Sequence, residues 1–180
     1  DWNSLSDAVF RNIFRRWIVD NYNDTHRHSP AYLRWEDNRD WHEKLLAKGW
    51  AAPAWPQEHG GMGLSPNKML IYIEELERHG VSRGPDQGIV MVGPILLEHG
   101  NADQRERFLQ AALSGEHIWC QGYSEPNAGS DLASLKTSAV LQGDEFIVNG
   151  QKTWTTHALD ATHMYCLVRT ETSGKPQRGI

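Results

Sequence analysis

The sequence predicts an α+β chain: an all-helical part to about residue 116, followed by a part built from antiparallel strands. Three observations predict it. Apolar residues recur at three-to-four spacing up to Gly115, and strand-like alternation takes over after it. Gly and Pro divide the first part into helix-length segments. Gly143-Asp144 and Asn149-Gly150 separate strand-length runs, where tight turns form. The expected units are residues 1–116, helical, and 117–180, β.

Each element has its own signal. Ser6 caps a first helix with apolar positions Val9, Phe10, Ile13, Phe14, Trp17 and Ile18. A second helix ends at Gly49 and turns Trp41, Leu45 and Leu46 inward. "GWAAPAWPQEHGGMGLSP" is too densely punctuated for either period and reads as a loop. Ser65 and Pro66 open a third helix with Met69, Tyr72, Ile73 and Leu76 as its stripe. "PDQGIVMVGPILLEHG" is nearly all apolar, is expected to kink at Gly93-Pro94, and should be the most buried helix. Asn101 with Gln104 forms a capping box for a last helix, which Gly115 stops. Beyond it, "HIWCQGY", "LKTSAVLQ", "EFIVNG" and "HMYCLVRT" read as strands.

Composition narrows the function. Hydrophobic content of 39% over 180 residues supplies a real core. The net charge of -5 and the scattered basic residues argue against nucleic acid as the main partner. No apolar run reaches the roughly 20 residues that span a bilayer. The start "DWNSLSD" has no signal-peptide pattern. Two cysteines, Cys120 and Cys166, without metal-type spacing fit a reduced, cytoplasmic protein. The nine histidines lack partners at ligand spacing, so no metal site is expected. No G-x-S-x-G elbow is present and neither cysteine has a neighbouring base. "EHGGMG" lacks the spacing and the preceding strand of a dinucleotide fingerprint. Of the eight tryptophans, several adjoin Gly or Pro, where a flat ring can close a pocket, and those at 50–56 hint at a bulky ligand.

Two stretches carry chemistry. "QGYSEPNAGSDLAS", residues 121–134, holds two glycines and several hydroxyls at a bend between strands. Its backbone N–H groups, with Ser124 and Ser130, make a nest for an anion such as a pyrophosphate, or the stretch is a decorated loop. Glu125 and Asp131 fit structural roles there, accepting backbone N–H groups. In "QKTWTTHA", residues 151–158, Trp154 among three threonines either lies against a planar ring with hydroxyls at its edge or packs on a helix.

Taken together, the chain resembles the acyl-CoA dehydrogenase family. "YSEPNAGSDLAS" is similar to that family's flavin-loop signature, and "NGQKTWTT" resembles its second flavin motif. "PQEHGGMGLSP" and "EHGNADQRERFLQAALSGEHIWC" match the loop before the third helix and the lead into the β domain. The resemblance covers the whole chain. It implies a β-barrel-like middle domain, here incomplete, and a C-terminal helical domain not included in the 180 residues.

The resemblance also implies FAD as cofactor. Gln121, Tyr123 and Ser124 would approach the isoalloxazine, and Gly129 and Ser130 would serve the pyrophosphate, with Ser130 also on the thioester side. Trp154 would lie against the ring, with Thr155 beside it and Thr156 near the N5 or O4 edge. Asn127 stands where Gly is common, which a positive φ would explain. His157-Ala158 replaces a usual Asn-Gly. The implied reaction is α,β-dehydrogenation of an acyl-CoA, with an electron-transfer flavoprotein-like acceptor and a homo- or hetero-oligomeric state. The catalytic base is expected outside residues 1–180, and Glu125 is not that base. An oxygen-using acyl-CoA oxidase or flavin monooxygenase of the same fold, and a non-catalytic flavin- or CoA-binding subunit, are the alternatives.

Overall fold

The computed structural model describes residues 1–180, which divide into two compact units, Asp1–Ile118 and Trp119–Ile180. The first contains α1 (Asp7–Asn21), α2 (Trp35–Lys48), α3 (Pro66–Arg78), α4 (Gly93–His99) and α5 (Ala102–Ser114). Local chemistry sets their ends. Ser6 accepts from the Val9 N–H and Ser65 from the Lys68 N–H, each satisfying an orphan donor of the first turn. Asn101 and Gln104 form the reciprocal capping box at 2.8 and 3.0 Å. Gly49 and Gly115 close α2 and α5 in the left-handed region, at φ 73° and 80°.

The core of this unit is aromatic. Trp50 is 1% exposed and packs edge-on against Trp2, Phe14 and Trp17. Trp55 is equally buried. The tryptophans of 50–56 therefore build the core instead of closing a pocket. Only part of each expected stripe is inside: α1 buries Phe10, Phe14 and Ile18, while Val9 and Ile13 are exposed. On α3, Ile71 and Tyr72 are buried and Ile73 is exposed.

A carboxylate ties α1 to α3. Glu75 is wholly buried, and Arg15 and Arg11 reach it at 2.8 and 2.7 Å, with Arg78 and His79 further out at 3.5 and 3.4 Å. Hydrogen bonds from Arg15 and then Arg11 outweigh its burial and hold its pKa down at about 2.

The stretch expected to be the most buried helix is not. Residues Gly88–Val92 form a π-helical turn leading into α4, and Val90 and Ile95 are exposed. The Gly93 N–H bonds the Gly88 carbonyl, and Pro94 has no N–H with which to continue that register. The Trp55 indole donates to the Ile89 carbonyl instead, at 2.8 Å. Gly93 is required there, because a Cβ would lie 2.0 Å from the Trp55 ring.

The second unit holds β1 (Trp119–Gly122), β2 (Ser138–Gln142), β3 (Glu145–Asn149) and β4 (His163–Cys166). β2 and β3 form the expected antiparallel hairpin, with Gln142 opposite Glu145. Gly143 turns it at φ 64°, with Asp144 at ordinary φ, the pattern of a turn with Gly at its first central position. The expectation of a wholly antiparallel unit fails, because β1 pairs with β4 in parallel, Trp119 beside His163 and Gly122 beside Cys166. The intervening 123–162 segment carries the hairpin and returns the chain in its starting direction, as a parallel pair requires. The barrel is not found either: the strands form two separate two-stranded sheets, neither of them closed.

Replacing Glu75 by Ala should lower stability in denaturant titrations by about 2–3 kcal/mol, below the ~3–5 of a fully buried pair because both arginines are partly solvated. The pH dependence has a definite sign. A depressed pKa contributes stability that is complete above the ordinary carboxylate value of 4.5 and is lost as pH falls toward about 2. The Glu75→Gln protein should lack that part of the acid limb; an unchanged acid limb would count against the assignment.

Candidate functional site

The site is built around one buried carboxylate. Glu125 follows β1 and opens the bend, where its N–H and carbonyl pair with those of Ala128 at 2.8 and 3.1 Å. Its side chain accepts from the Lys136 N–H at 2.6 Å, the Thr137 N–H at 2.8 Å and Lys152 Nζ at 2.9 Å. Burial pushes its pKa up, but donors from Thr137, Lys136 and Lys152 outweigh this and hold it at about 2. The carboxylate is therefore an ionised acceptor at neutral pH. The structural role expected of Glu125 is what the hydrogen bonds show. Asp131 differs: its side chain accepts from the Ser134 hydroxyl, not from a backbone N–H.

Lys152 joins the two motif segments. Its side chain is 8% exposed, and its ammonium also bonds the Tyr123 carbonyl at 3.1 Å. Next to it, the Thr153 N–H bonds the Ser124 carbonyl at 2.9 Å. Segments 121–130 and 151–156, distant in sequence, thus lie side by side.

Against this frame lies a concavity of about 600 Å3, lined by residues that include Lys152, Trp154, Thr155, Met164 and Cys166. Trp154 is 88% exposed and sits at φ 56°, a left-handed conformation that a bulky side chain adopts only under constraint. Within residues 1–180 this indole packs on no helix. His157, at φ 64°, occupies the left-handed position of the Asn-Gly that the resemblance leads one to expect. Asn127 does not: it is absent from the positive-φ residues, so that explanation of the Gly-to-Asn departure is wrong.

Thr155 lines the concavity with Trp154, whereas the other sequence-predicted residues are not among its lining residues. Gln121 is half-buried on β1 opposite Tyr165. Tyr123 and Ser124 are half-buried and enter the frame through their carbonyls. Gly129 and Ser130 are exposed on the bend, and nothing lies within 4 Å of where a Gly129 Cβ would be. Thr156 is exposed beside Trp154. Sequence reasoning missed Lys152, Met164 and Cys166. Met164 and Cys166 fill the space beside Gly122, where a Cβ would meet Met164 Sδ at 2.6 Å. Burial pushes the Cys166 thiol pKa up, so it is neutral. A strong signal for Lys152 was its place inside the quoted "NGQKTWTT".

A second cavity, of about 420 Å3, lies within the helical unit. Trp41, Leu45, Met69, Tyr72 and Ile89 form apolar walls, and the buried Asn38 lines it as well.

Comparison with known proteins identifies the family. Residues 8–116 match the profile described as acyl-CoA dehydrogenase, N-terminal domain, and residues 120–180 match acyl-CoA dehydrogenase, middle domain. The acyl-CoA dehydrogenase IpdE1 of Mycobacterium tuberculosis is 37% identical over 185 residues, covering 95% of this chain and 46% of that protein. The solved ChsE4-ChsE5 complex from Mycobacterium tuberculosis matches with a TM-score of 0.83 at 32% identity, over 97% of this chain and 45% of that one. The structure described as the Tcur3481-Tcur3483 steroid ACAD matches with a TM-score of 0.81 at 30% identity, over 99% and 47%. The chain belongs to the acyl-CoA dehydrogenase family, and it has the N-terminal helical and middle domains of that fold. It spans about half the length of the curated relatives it matches. No helix is long and apolar enough to cross a membrane.

The exposed, strained indole generates a test. Trp154→Gly relieves the positive φ and removes no packing, so stability should stay within about 1 kcal/mol of wild type. Trp50→Ala, which empties the aromatic core, should cost about 3–5 kcal/mol. Comparable losses from both substitutions would mean that Trp154 is a packing residue.

Proposed function

We propose that this chain supplies the N-terminal and middle parts of an FAD-dependent enzyme that α,β-dehydrogenates an acyl-CoA thioester. The observation that carries the reading is the strained, exposed Trp154 in a concavity whose wall ties together the two family motifs. The residues present fit a flavin. Trp154 offers a bare aromatic face, and the Thr155 and Thr156 hydroxyls stand beside it for a heteroatom edge. Ser124, Ser130 and the N–H groups about Gly129 offer donors at an open bend for a pyrophosphate. The bound flavin supplies a two-electron acceptor for a hydride from the substrate β-carbon.

The protein's own residues bind, orient and exclude water. Glu125 does not take the α-proton: it is buried, ionised and committed to three donors. The base is assigned to the part of the protein outside residues 1–180. Ser130 is assigned to both the pyrophosphate and the thioester side. Two solved relatives named as pairs support assembly with a second, related subunit, and the name "steroid ACAD" supports a bulky acyl group. Electrons are assigned to a protein acceptor of the electron-transfer flavoprotein kind.

The test uses the full-length protein with its partner subunit. It should purify yellow, with a flavin spectrum that bleaches anaerobically on addition of an acyl-CoA. A folded protein that takes up no FAD would refute the reading. Bleaching that is reversed only by oxygen, with peroxide formed, would select the oxidase alternative. Ser130→Ala should weaken FAD or acyl-CoA binding by about ten- to a hundredfold with melting unchanged, the worth of one hydrogen bond to a charged group. Unaltered affinities would reduce Ser130 to a loop residue.

A further inference from the structure

Among the side chains lining the concavity, Lys152 is the one that carries a formal charge at neutral pH, and it is 8% exposed. Its counter-charge, Glu125, is buried to the same extent at 2.9 Å. Buried like this, the pair does two jobs that no single motif residue does. Mechanically, it bonds the Tyr123 carbonyl and the N–H groups of Lys136 and Thr137, so three chain segments converge on it. Electrostatically, it places a cation and an anion behind the ring site, where water screens them little.

We propose that Lys152 and Glu125 act as a matched charge pair that positions the two flavin-contact segments and sets the electron affinity of a flavin held on the face they form. This rests on the flavin reading above. The two charges fix a sign. A cation left unpaired near the ring stabilises the reduced, more negative flavin and raises its reduction potential; an anion left unpaired lowers it. In the intact pair the two effects oppose. A pair that served folding alone would loosen the site when either member was lost, and both losses would then act in the same direction.

The experiment measures the flavin midpoint potential and the FAD dissociation constant of the full-length holoprotein with its partner. Glu125→Gln should raise the potential and Lys152→Met should lower it, each weakening FAD binding about tenfold. The double variant should return the potential to near wild type, because both charges are gone. Lys152→Arg, which keeps the charge, should leave it unchanged. Shifts of the same sign in the two single variants, or no shift in either, overturn the inference. If the single variants do not fold, the double variant decides. A neutral replacement of a buried pair is tolerated where a half-pair is not, so a folded, flavin-bearing double variant with a wild-type potential supports the proposal. One that is unfolded, or that has a displaced potential, contradicts it. A wild-type protein without flavin would instead defeat the functional reading on which this one stands.

Discussion

Everything in the second unit that bears on the site depends on keeping one carboxylate ionised in the interior. Glu125 has lost its water, and an unpaired buried charge costs several kcal/mol, on the order of what holds a small domain together. Two backbone N–H groups and the Lys152 ammonium replace that water. Because those donors come from two stretches that both lie apart from Glu125 in sequence, satisfying the charge is the same event as assembling the site. The strained Trp154 two residues past Lys152 is affordable only on such a frame.

The helical unit uses the same device for a different end. Glu75 is buried and ionised between Arg11 and Arg15, and it docks α1 on α3 beneath the aromatic cluster of Trp50, Phe14 and Tyr72. Its cations are partly solvated, so the pair fastens a helix contact without lining a cavity. At 125 both partners are interior and one of them lines the concavity. Burial of both partners is what sets the Glu125–Lys152 pair apart from the Glu75 fastening.

Signals that act within a few residues were legible in the sequence. Ser6, Ser65, Asn101 and Gly115 mark helix ends through bonds and dihedrals local to each end, and the structure places them there. The Gly143 hairpin turn is local in the same way. What failed was set by distant parts of the chain. The parallel pairing of β1 with β4 depends on where a 123–162 excursion returns, and no short-range pattern encodes that. The π-turn at 88–92 depends on an indole from Trp55 that meets the Ile89 carbonyl. Trp50 and Trp55 were misjudged because a ring next to Gly or Pro closes a core as well as a pocket. Within the site, Trp154 stood out by its motif, whereas Lys152 in the same motif carries no sequence mark of burial. Its burial shows only when the Glu125 loop is folded over it.

The central claim is that the segments 121–130 and 151–156 form one flavin face on the Glu125–Lys152 frame. Amide hydrogen exchange of the full-length protein with its partner, with and without FAD, tests it most directly. The account predicts that FAD slows exchange in both segments together, since the Lys152 ammonium bonds the Tyr123 carbonyl and the Thr153 N–H bonds the Ser124 carbonyl. Protection of one segment without the other, or protection confined to residues outside both, would contradict it.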